Sequence, residues 1–239
     1  MKENQSVNYK FKFSVVMAVY NVEKYLGEAL DSLIAQDIGF EKNVQVILVD
    51  DGTPDGSGEI CDEYQKRYPD NIKVIHKENG GVSSARNEGL KHIEGRFINF
   101  MDSDDILEQG TLKEVYTFFD KVEGEVELVS VPMVFFEGKT GDHALNYKYS
   151  SGQNEIVDLW KKYNYVQMSL SSAFITHRAA KQIHFDQLLK YAEDAALVME
   201  ILLKKCRYGV VPGGGISVSY KNGGRFRNFF LIWKKGLVY

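Results

Sequence analysis

The chain has little cysteine and little proline for its length. Its 239 residues include two cysteines, Cys61 and Cys206, and four prolines. The two cysteines form no C-x-x-C pair, no zinc-ligand spacing and no disulfide framework, so the classes of small domain held by metals or disulfides are excluded. Low cysteine usage also favours a reducing, cytoplasmic setting.

Long apolar runs and an excess of positive charge are absent as well. No apolar stretch approaches the roughly 20 residues that span a bilayer, and the polar start MKENQSVNYK lacks the apolar core of a signal peptide. The formal net charge is −4, whereas a general nucleic-acid-binding domain is basic overall. We therefore expect neither a membrane span nor a nucleic-acid partner. The hydrophobic content of 44% is enough for a sizeable core.

The sequence does contain a regular alternation of short apolar runs and amphipathic helical segments. The predicted strands are residues 13–19, 44–50, 72–76 and 96–101, and the predicted helices are residues 22–36, about 59–68 and 82–92. Later residues predict strands at 127–132, 171–176 and 215–220, helices at 154–163 and 192–205, and a hairpin or excursion at 133–150. This order is typical of an α/β fold with a mostly parallel sheet flanked by helices.

Polar residues follow three of the predicted strands. They are residues 20–21, 50–53 and 102–105. Because ligands bind outside the carboxyl ends of the strands in parallel sheets, we expect these segments to converge at one edge and form the functional site.

Three carboxylates, Asp102, Asp104 and Asp105, directly follow the apolar strand FINFM. Like charges this close destabilise one another unless something neutralises them. One interpretation is that Asp104 or Asp105 caps or complements the start of a following helix. The other is that the acids bind a cation, and this stretch alone leaves the choice open.

Two common nucleotide-binding motifs are missing. The dinucleotide fingerprint G-x-G-x-x-G would follow the first strand, where glycine is absent until Gly27, and no P-loop motif occurs. The pair Gly80-Gly81 opens a predicted helix, which is suited either to a phosphate or to a plain turn.

Five segments in order resemble the motifs of glycosyltransferase family 2. They are SVVMAVYN (14–21), VDDGT (49–53), GGVSSARNEGL (80–90), FMDSDD (100–105) and YAED (191–194). The resemblance implies a GT-A-type, Rossmann-like fold as one catalytic domain over residues 13–220. Residues 13–110 would form the nucleotide-binding half and residues 111–220 a smaller mixed acceptor half.

The resemblance also implies roles at the donor site. Asp102 and Asp104 match the D-x-D motif, in which Asp104 would ligate Mn²⁺ or Mg²⁺ and Asp102 would lie near the ribose and the metal. Asp51 would accept a hydrogen bond from the nucleotide base, and a common Asp-Gly turn is the less favoured structural alternative. Tyr20 would pack on the base, and the backbone of Ala18 would line it.

Two further residues come from the same resemblance. Arg86 matches an arginine near the nucleotide, with pairing to Asp51 or Asp102 as a structural alternative. Asp194 matches the general base, although an acid in a first helical turn also complements the helix dipole. Asn21 is as easily a helix cap, and Asp50, Asn87, His177 and His184 are expected to be structural.

Further expectations concern the first 12 residues and the segment after residue 215. Residues 1–12 look like a flexible tail. Some relatives supply a late histidine as a metal ligand, but residues 216–222 contain none. Lys221, Arg225 and Arg227 either close over the diphosphate or form a solvated tail. The basic, aromatic segment 221–239 either packs on protein or contacts an anionic membrane surface.

The expected function is inverting, metal-dependent transfer of a sugar from a nucleoside-diphosphate sugar, with UDP as the favoured carrier. The acceptor would be a glycan or a lipid-linked saccharide, and the enzyme would be cytoplasmic or peripheral at the inner membrane face. The alternatives are a sugar-phosphate nucleotidyltransferase, which shares the acids and Mg²⁺, and a non-catalytic nucleotide-sugar-binding module.

Overall fold

The computed structural model describes residues 8–122, 124–136, 153–161, 169–189 and 192–219. Within these ranges eight strands form one sheet and three short strands form a second. None of the helices in the described ranges has the length and apolar character needed to cross a membrane.

The first hundred residues build the parallel part of the large sheet. Its elements are β1 Phe11–Val19, α1 Leu26–Ile34, α2 Phe40–Asn43, β2 Val44–Asp50, α3 Ser57–Arg67, β3 Ile72–His76, α4 Val82–Leu90 and β4 Gly95–Phe100. The strands lie in the order β3-β2-β1-β4 and all their pairings are parallel. Every residue of β2 is buried, as expected for a strand covered on both faces.

The later residues extend this sheet with mixed pairing. They form β5 Ile106–Leu107, α5 Thr111–Lys121, β6 Leu128–Ser130, β7 Met133–Phe136, β8 Glu155–Asp158, β9 Ala173–Thr176, α6 His177–Ala180, α7 Glu193–Lys205, β10 Arg207–Val210 and β11 Ile216–Ser219. Strand β9 runs antiparallel between β4 and β6, and β10 and β8 complete the sheet. Strands β5, β11 and β7 form the small sheet.

The core lies on both faces of the large sheet because neighbouring residues of β1 point to opposite sides. Phe13, Val15 and Met17 belong to one buried cluster, which the apolar faces of α1 and α5 cover. Val16 belongs to the other, which α4 and α7 cover. The chain is therefore an α/β fold with helices flanking a mostly parallel sheet, as predicted.

The helix predicted at residues 154–163 is wrong in its described part. Glu155–Asp158 form a strand that pairs antiparallel with Arg207–Val210. A run this short takes its conformation from its pairing partner, nearly 50 residues away in sequence, which local periodicity does not contain. Residues 162–163 of that segment lie outside the described residues, as do residues 137–150 of the predicted excursion.

Two boundaries near the amino terminus also differ from the prediction. Strand β1 begins at Phe11, inside the predicted tail, and α1 begins at Leu26 rather than at residue 22. The backbone N–H groups of Val22 and Glu23 donate to the side chains of Ser57 and Asp55. These contacts satisfy the backbone without a helix, so the proposed Asn21 cap for a helix at residue 22 is also wrong.

Candidate active site

The polar segments that follow β1, β2 and β4 meet at the carboxyl edge of the sheet, as predicted. The Ser103 hydroxyl donates to the carbonyl of Ala18 at 2.9 Å. The backbone N–H of Asp51 donates to the carbonyl of Val19 at 3.0 Å, and that of Asn21 donates to Thr53 Oγ1 at 2.8 Å. The three loops therefore form one surface.

Asp55 holds two of these loops together. Its carboxylate accepts hydrogen bonds from the Thr53 and Ser57 hydroxyls, both at 2.6 Å, and from the Glu23 backbone N–H at 3.0 Å. Burial opposes the charge of Asp55, but these hydrogen bonds outweigh it and hold the pKa of the Asp55 carboxyl well below its usual range. Asp55 therefore fixes the loop after β1 against the loop after β2.

Asp51 is only 3% exposed and is surrounded by hydrogen-bond donors. Lys77 Nζ lies 2.5 Å from Asp51 Oδ1, and the backbone N–H of Gly80 donates to the same oxygen at 3.0 Å. The N–H of Gly81 donates to Oδ2 at 2.7 Å, from a residue with a φ of +86°. The glycine pair that opens α4 therefore binds the Asp51 carboxylate.

Other residues beside Asp51 divide into structural and exposed ones. Asp50 accepts from the backbone N–H of Thr53 at 2.8 Å and contacts His76 Nδ1 at 2.7 Å, which is the structural role expected of it. The ring of Tyr20 is exposed at the same edge, at 49% of its surface. Ala18 lies at the end of β1 beside it.

Arg86 is the centre of a second group of acids. It lies on α4, is only 4% exposed, and its guanidinium stands 5.4 Å from the ring of Phe185. NH2 of Arg86 is 2.9 Å from Asp102, while NH1 is 2.5 Å from Asp194 and 3.5 Å from Glu193. Pairing with Asp51, one of the two alternatives, does not occur. Burial opposes the Arg86 charge, but the carboxylates raise the pKa of Arg86 above its ordinary value.

Asp102 lies in an excess of negative charge. Its pKa is raised by loss of water and by the charges of Asp194 and Asp104, which together outweigh Arg86. Since 46% of the side-chain surface stays exposed, the neighbouring negative charges explain the direction better than burial does. Three acids, Asp102, Glu193 and Asp194, thus share one arginine.

The segment before β9 contacts both Asp102 and Asp194, and it was not predicted to belong to the site. The Ser171 hydroxyl accepts from the backbone N–H of Asp102 at 3.1 Å, and the N–H of Leu170 donates to Asp194 Oδ2 at 3.3 Å. The Asn99 amide on β4 donates to the carbonyls of Leu170 and Ser171 and so fixes the segment. Ser171 and Leu170 lie far along the chain from Asp102, so no local signal identifies them.

Structural roles are confirmed for two of the other predicted residues. The Asn87 amide exchanges two hydrogen bonds of 2.8 Å with the backbone of Phe185, which positions that ring beneath Arg86. His177 Nδ1 is 2.8 Å from the carbonyl of Gly95, at the opposite end of β4 from the site. Tyr191, Lys221, Arg225, Arg227 and the segment 221–239 lie outside the described residues.

The cluster fits a divalent cation by its chemistry. The helix-capping alternative for Asp104 and Asp105 is wrong, because the next helix begins at Thr111 and Gly110 is its N-cap. In the described part of the chain no group of three His, Cys, Asp or Glu side chains is arranged to hold a metal by itself. Mg²⁺ commonly uses only one or two protein carboxylates and completes its shell with phosphates and water. Asp102 and Asp104 supply hard carboxylate oxygens of the kind that such a cation takes as ligands.

Comparison with known proteins identifies relatives. The family model described as glycosyl transferase family 2 matches residues 14–183. The chain is 48% identical over 204 residues to the minor teichoic acid biosynthesis protein GgaB of Bacillus subtilis, covering 85% of this chain and 22% of GgaB. It is 30% identical over 200 residues to the poly(ribitol-phosphate) beta-N-acetylglucosaminyltransferase TarS of Staphylococcus aureus, covering 84% of this chain and 34% of TarS.

A solved structure has the same fold. The crystal structure of S. aureus TarS residues 1–349 in complex with UDP-GlcNAc superposes with a TM-score of 0.77 at 28% identity, covering 91% of this chain and 61% of that one. The GT-A-type fold predicted for the sequence is thereby confirmed. The chain spans between about a fifth and a half of the length of GgaB and the related GgaA protein.

Proposed function

The chain belongs to glycosyl transferase family 2, and we propose that it transfers a sugar from a UDP-sugar to a hydroxyl group of an anionic glycan polymer, with inversion at the anomeric carbon. The observation that carries this proposal is the bridge formed by Arg86. It links Asp102, on the donor side of the edge, to Asp194, on the acceptor side. The proposed general base, Asp194, and the donor-site residue Asp102 therefore contact the same guanidinium group.

Asp51 and Lys77 support uracil as the base. Asp51 offers a hydrogen-bond acceptor and Lys77 Nζ, in contact with it, offers donors. This pair complements a base edge with an N–H beside a carbonyl oxygen, which uracil and guanine present and cytosine does not. Solved TarS structures contain UDP and UDP-GlcNAc, which favours uracil between these two. The exposed ring of Tyr20 is suited to stack on the base.

Asp104 and Asp102 are the residues that would hold Mn²⁺ or Mg²⁺. When bound, such a cation neutralises charge on the departing diphosphate. The fit rests on the donor set, since both side chains supply the hard carboxylate oxygens that suit Mg²⁺ and Mn²⁺.

Asp194 is the proposed general base. It opens α7 with 22% of its side chain exposed, and Arg86 and the Leu170 N–H each donate to one of its oxygens. Each oxygen keeps a lone pair for an incoming hydroxyl group. Asp194 takes the hydroxyl proton as the acceptor oxygen bonds to the anomeric carbon, and the bond from that carbon to the diphosphate breaks on the opposite face. UDP leaves with the bonding electrons.

The acceptor class comes from the named relatives. GgaB is a teichoic acid biosynthesis protein and TarS acts on poly(ribitol-phosphate). Both names point to anionic polymers, and we extend that class, without a specific repeat unit, to this chain.

The test is calorimetric binding of UDP, GDP, CDP and UTP, each with and without Mn²⁺. We expect metal-dependent binding of UDP in preference to the others, and loss of the metal dependence in Asp104→Asn. Asp70→Asn is the matched control, because Asp70 is an exposed acid between α3 and β3. Preference for UTP would favour a nucleotidyltransferase instead. Binding without turnover of UDP-sugar would favour a non-catalytic binding module.

A further inference from the structure

We propose that a basic cleft at the opposite, amino-terminal edge of the large sheet binds phosphate groups of the polymer acceptor, at a distance from the active site. We call it the basal cleft, and its principal lining residues are Tyr9, Lys10, Lys12, Lys42, Arg96 and Tyr116. The identity of the ligand, a polymer acceptor, rests on the proposed function. The existence of the cleft does not.

The strand register brings the cations together. Phe11 pairs with Gly95 and Phe13 with Phe97, so Lys12 of β1 lies beside Arg96 of β4. Phe13 also pairs with Val44, so Lys12 lies beside Asn43 on its other side, directly after Lys42. Neighbouring strands are about 4.8 Å apart. Cations that are distant in sequence therefore line one cavity of about 250 Å³.

Part of this positive charge is not neutralised by the protein. Lys10 pairs with Glu94 at 3.6 Å and Arg96 with Asp120 at 3.2 Å. Among the described residues, no carboxylate forms an ion pair with Lys12 or Lys42. Lys12 Nζ instead stands 4.3 Å from the ring centre of Tyr116, which holds the ammonium in place. The cleft keeps an excess of positive charge in a chain whose net charge is −4.

The shape of the cleft favours a polymer over a membrane surface. A flat bilayer binds surfaces from which apolar side chains protrude. Here Phe11, which also lines the cleft, is buried, and Tyr9 and Tyr116 are half-buried, so the aromatic residues form walls. The large exposed hydrophobic residues of the described chain, such as Trp160, Leu188 and Leu203, do not line it. A concave, basic, aromatic-walled surface suits a flexible chain of phosphates and hydroxyl groups.

The distance between the cleft and the active site limits which acceptors can occupy both. Strand β1 separates the two edges, and its nine residues span about 26 Å at roughly 3.3 Å per residue. Only an acceptor of several repeat units reaches both places. Binding at the cleft would raise the local concentration of acceptor hydroxyl groups at Asp194 without touching the reacting atoms.

The experiment compares Lys12→Gln/Lys42→Gln with Lys66→Gln/Lys181→Gln. The second pair removes the same charge from exposed lysines outside the cleft. Binding and transfer are measured with UDP-sugar and Mn²⁺, using a long ribitol-phosphate polymer, a ribitol-phosphate dimer, uncharged dextran, and vesicles containing phosphatidylglycerol. UDP affinity of every variant serves as the check that the sheet is intact.

We expect the ratio of kcat/KM for the polymer to that for the dimer to fall about tenfold in the Lys12 and Lys42 variant, since two exposed charge contacts are lost. The ratio should hold in the control variant. The slope of log affinity for the polymer against log salt should become less negative by about 1.5, since two ionic contacts are lost.

Three results would overturn the inference. If the polymer-to-dimer ratio of kcat/KM is unchanged and UDP still binds, the cleft is not an acceptor-binding site, while the proposed transferase activity still stands. An equal fall in both variants would reduce the effect to net charge. Vesicle binding that depends on Lys12 and Lys42, without polymer binding, would assign the cleft to a membrane. Absence of UDP binding in the unmodified chain would instead count against the proposed function.

Discussion

Asp51 and Asp102 follow strands β2 and β4 at the same edge of the sheet, yet their charges are compensated differently. Asp51 is almost fully buried, and a lysine and two backbone N–H groups donate to it. Asp102 is half exposed and shares Arg86 with Asp194 and Glu193. One acid is compensated by its own loop, and the other lies in a cluster with more acids than cations.

The difference shows what each place is suited to bind. A compensated carboxylate next to a lysine presents a fixed pattern of acceptor and donor, which suits a neutral base edge. A cluster with excess negative charge is suited to a cation and to a proton, since both relieve repulsion. The two halves of a nucleotide sugar, base and diphosphate, need these two environments.

The largest effect should come from the acid cluster. Asp194→Asn should lower kcat by about a thousandfold, because the amide cannot take a proton from the acceptor hydroxyl group. Donor binding should be nearly unchanged, as the proposed base contacts the acceptor. The measurement is steady-state transfer together with UDP calorimetry. Glu193→Gln is the matched control on the adjacent residue, which is 3.5 Å from Arg86; a greater loss in that variant would move the base to Glu193.

Replacing the basic partner of each acid, Arg86 for Asp102 and Lys77 for Asp51, tests whether the two acids are compensated differently. Arg86→Gln leaves several partly buried carboxylates without their shared partner, and should lower the free energy of unfolding by about 3 kcal/mol. Lys77→Met should cost about 1 kcal/mol, because Gly80 and Gly81 still donate to Asp51. Denaturant unfolding of both variants measures the difference. Equal losses would show that the two acids are not compensated differently.

The parallel half of the fold was predictable because its signals are local. Strands β2 and β3 match the predicted residues 44–50 and 72–76 in full. Strand β2 is buried along its whole length, and such a strand is a nearly continuous apolar run. In the acceptor half, β6, β9 and β11 lie within predicted strands, whereas β8 and β10 take their conformation from each other although they lie far apart along the chain. Strands β8 and β10 were missed for this reason, and a helix was predicted in place of β8.

The candidate site also contains residues that local motifs predict and residues that they do not. The acids Asp51, Asp102 and Asp194 were found from their motifs, and the meeting of the loops at one edge follows from parallel topology. Their partners depend on the folded chain. Arg86 reaches Asp194 across 108 positions, and Lys77 reaches Asp51 across 26. Lys77 directly follows β3, so the rule that directed attention to the ends of the other strands also applied to it.

The smallest predicted effect tests the compensated side through pH. Hydrogen bonds to Asp50 and Asp62 raise the pKa of His76 above its ordinary value. A raised pKa in the folded state means that the stabilising contribution of His76 is fully present below about pH 6.5, the unfolded pKa, and is lost as pH rises through the folded pKa. Since the side chain is 49% exposed, the change should stay below about 1 kcal/mol. Tm should therefore fall slightly more between about pH 6 and pH 8.5 in the unmodified chain than in His76→Gln. The same pH slope in both proteins would show that the Asp50–His76 contact contributes no stability.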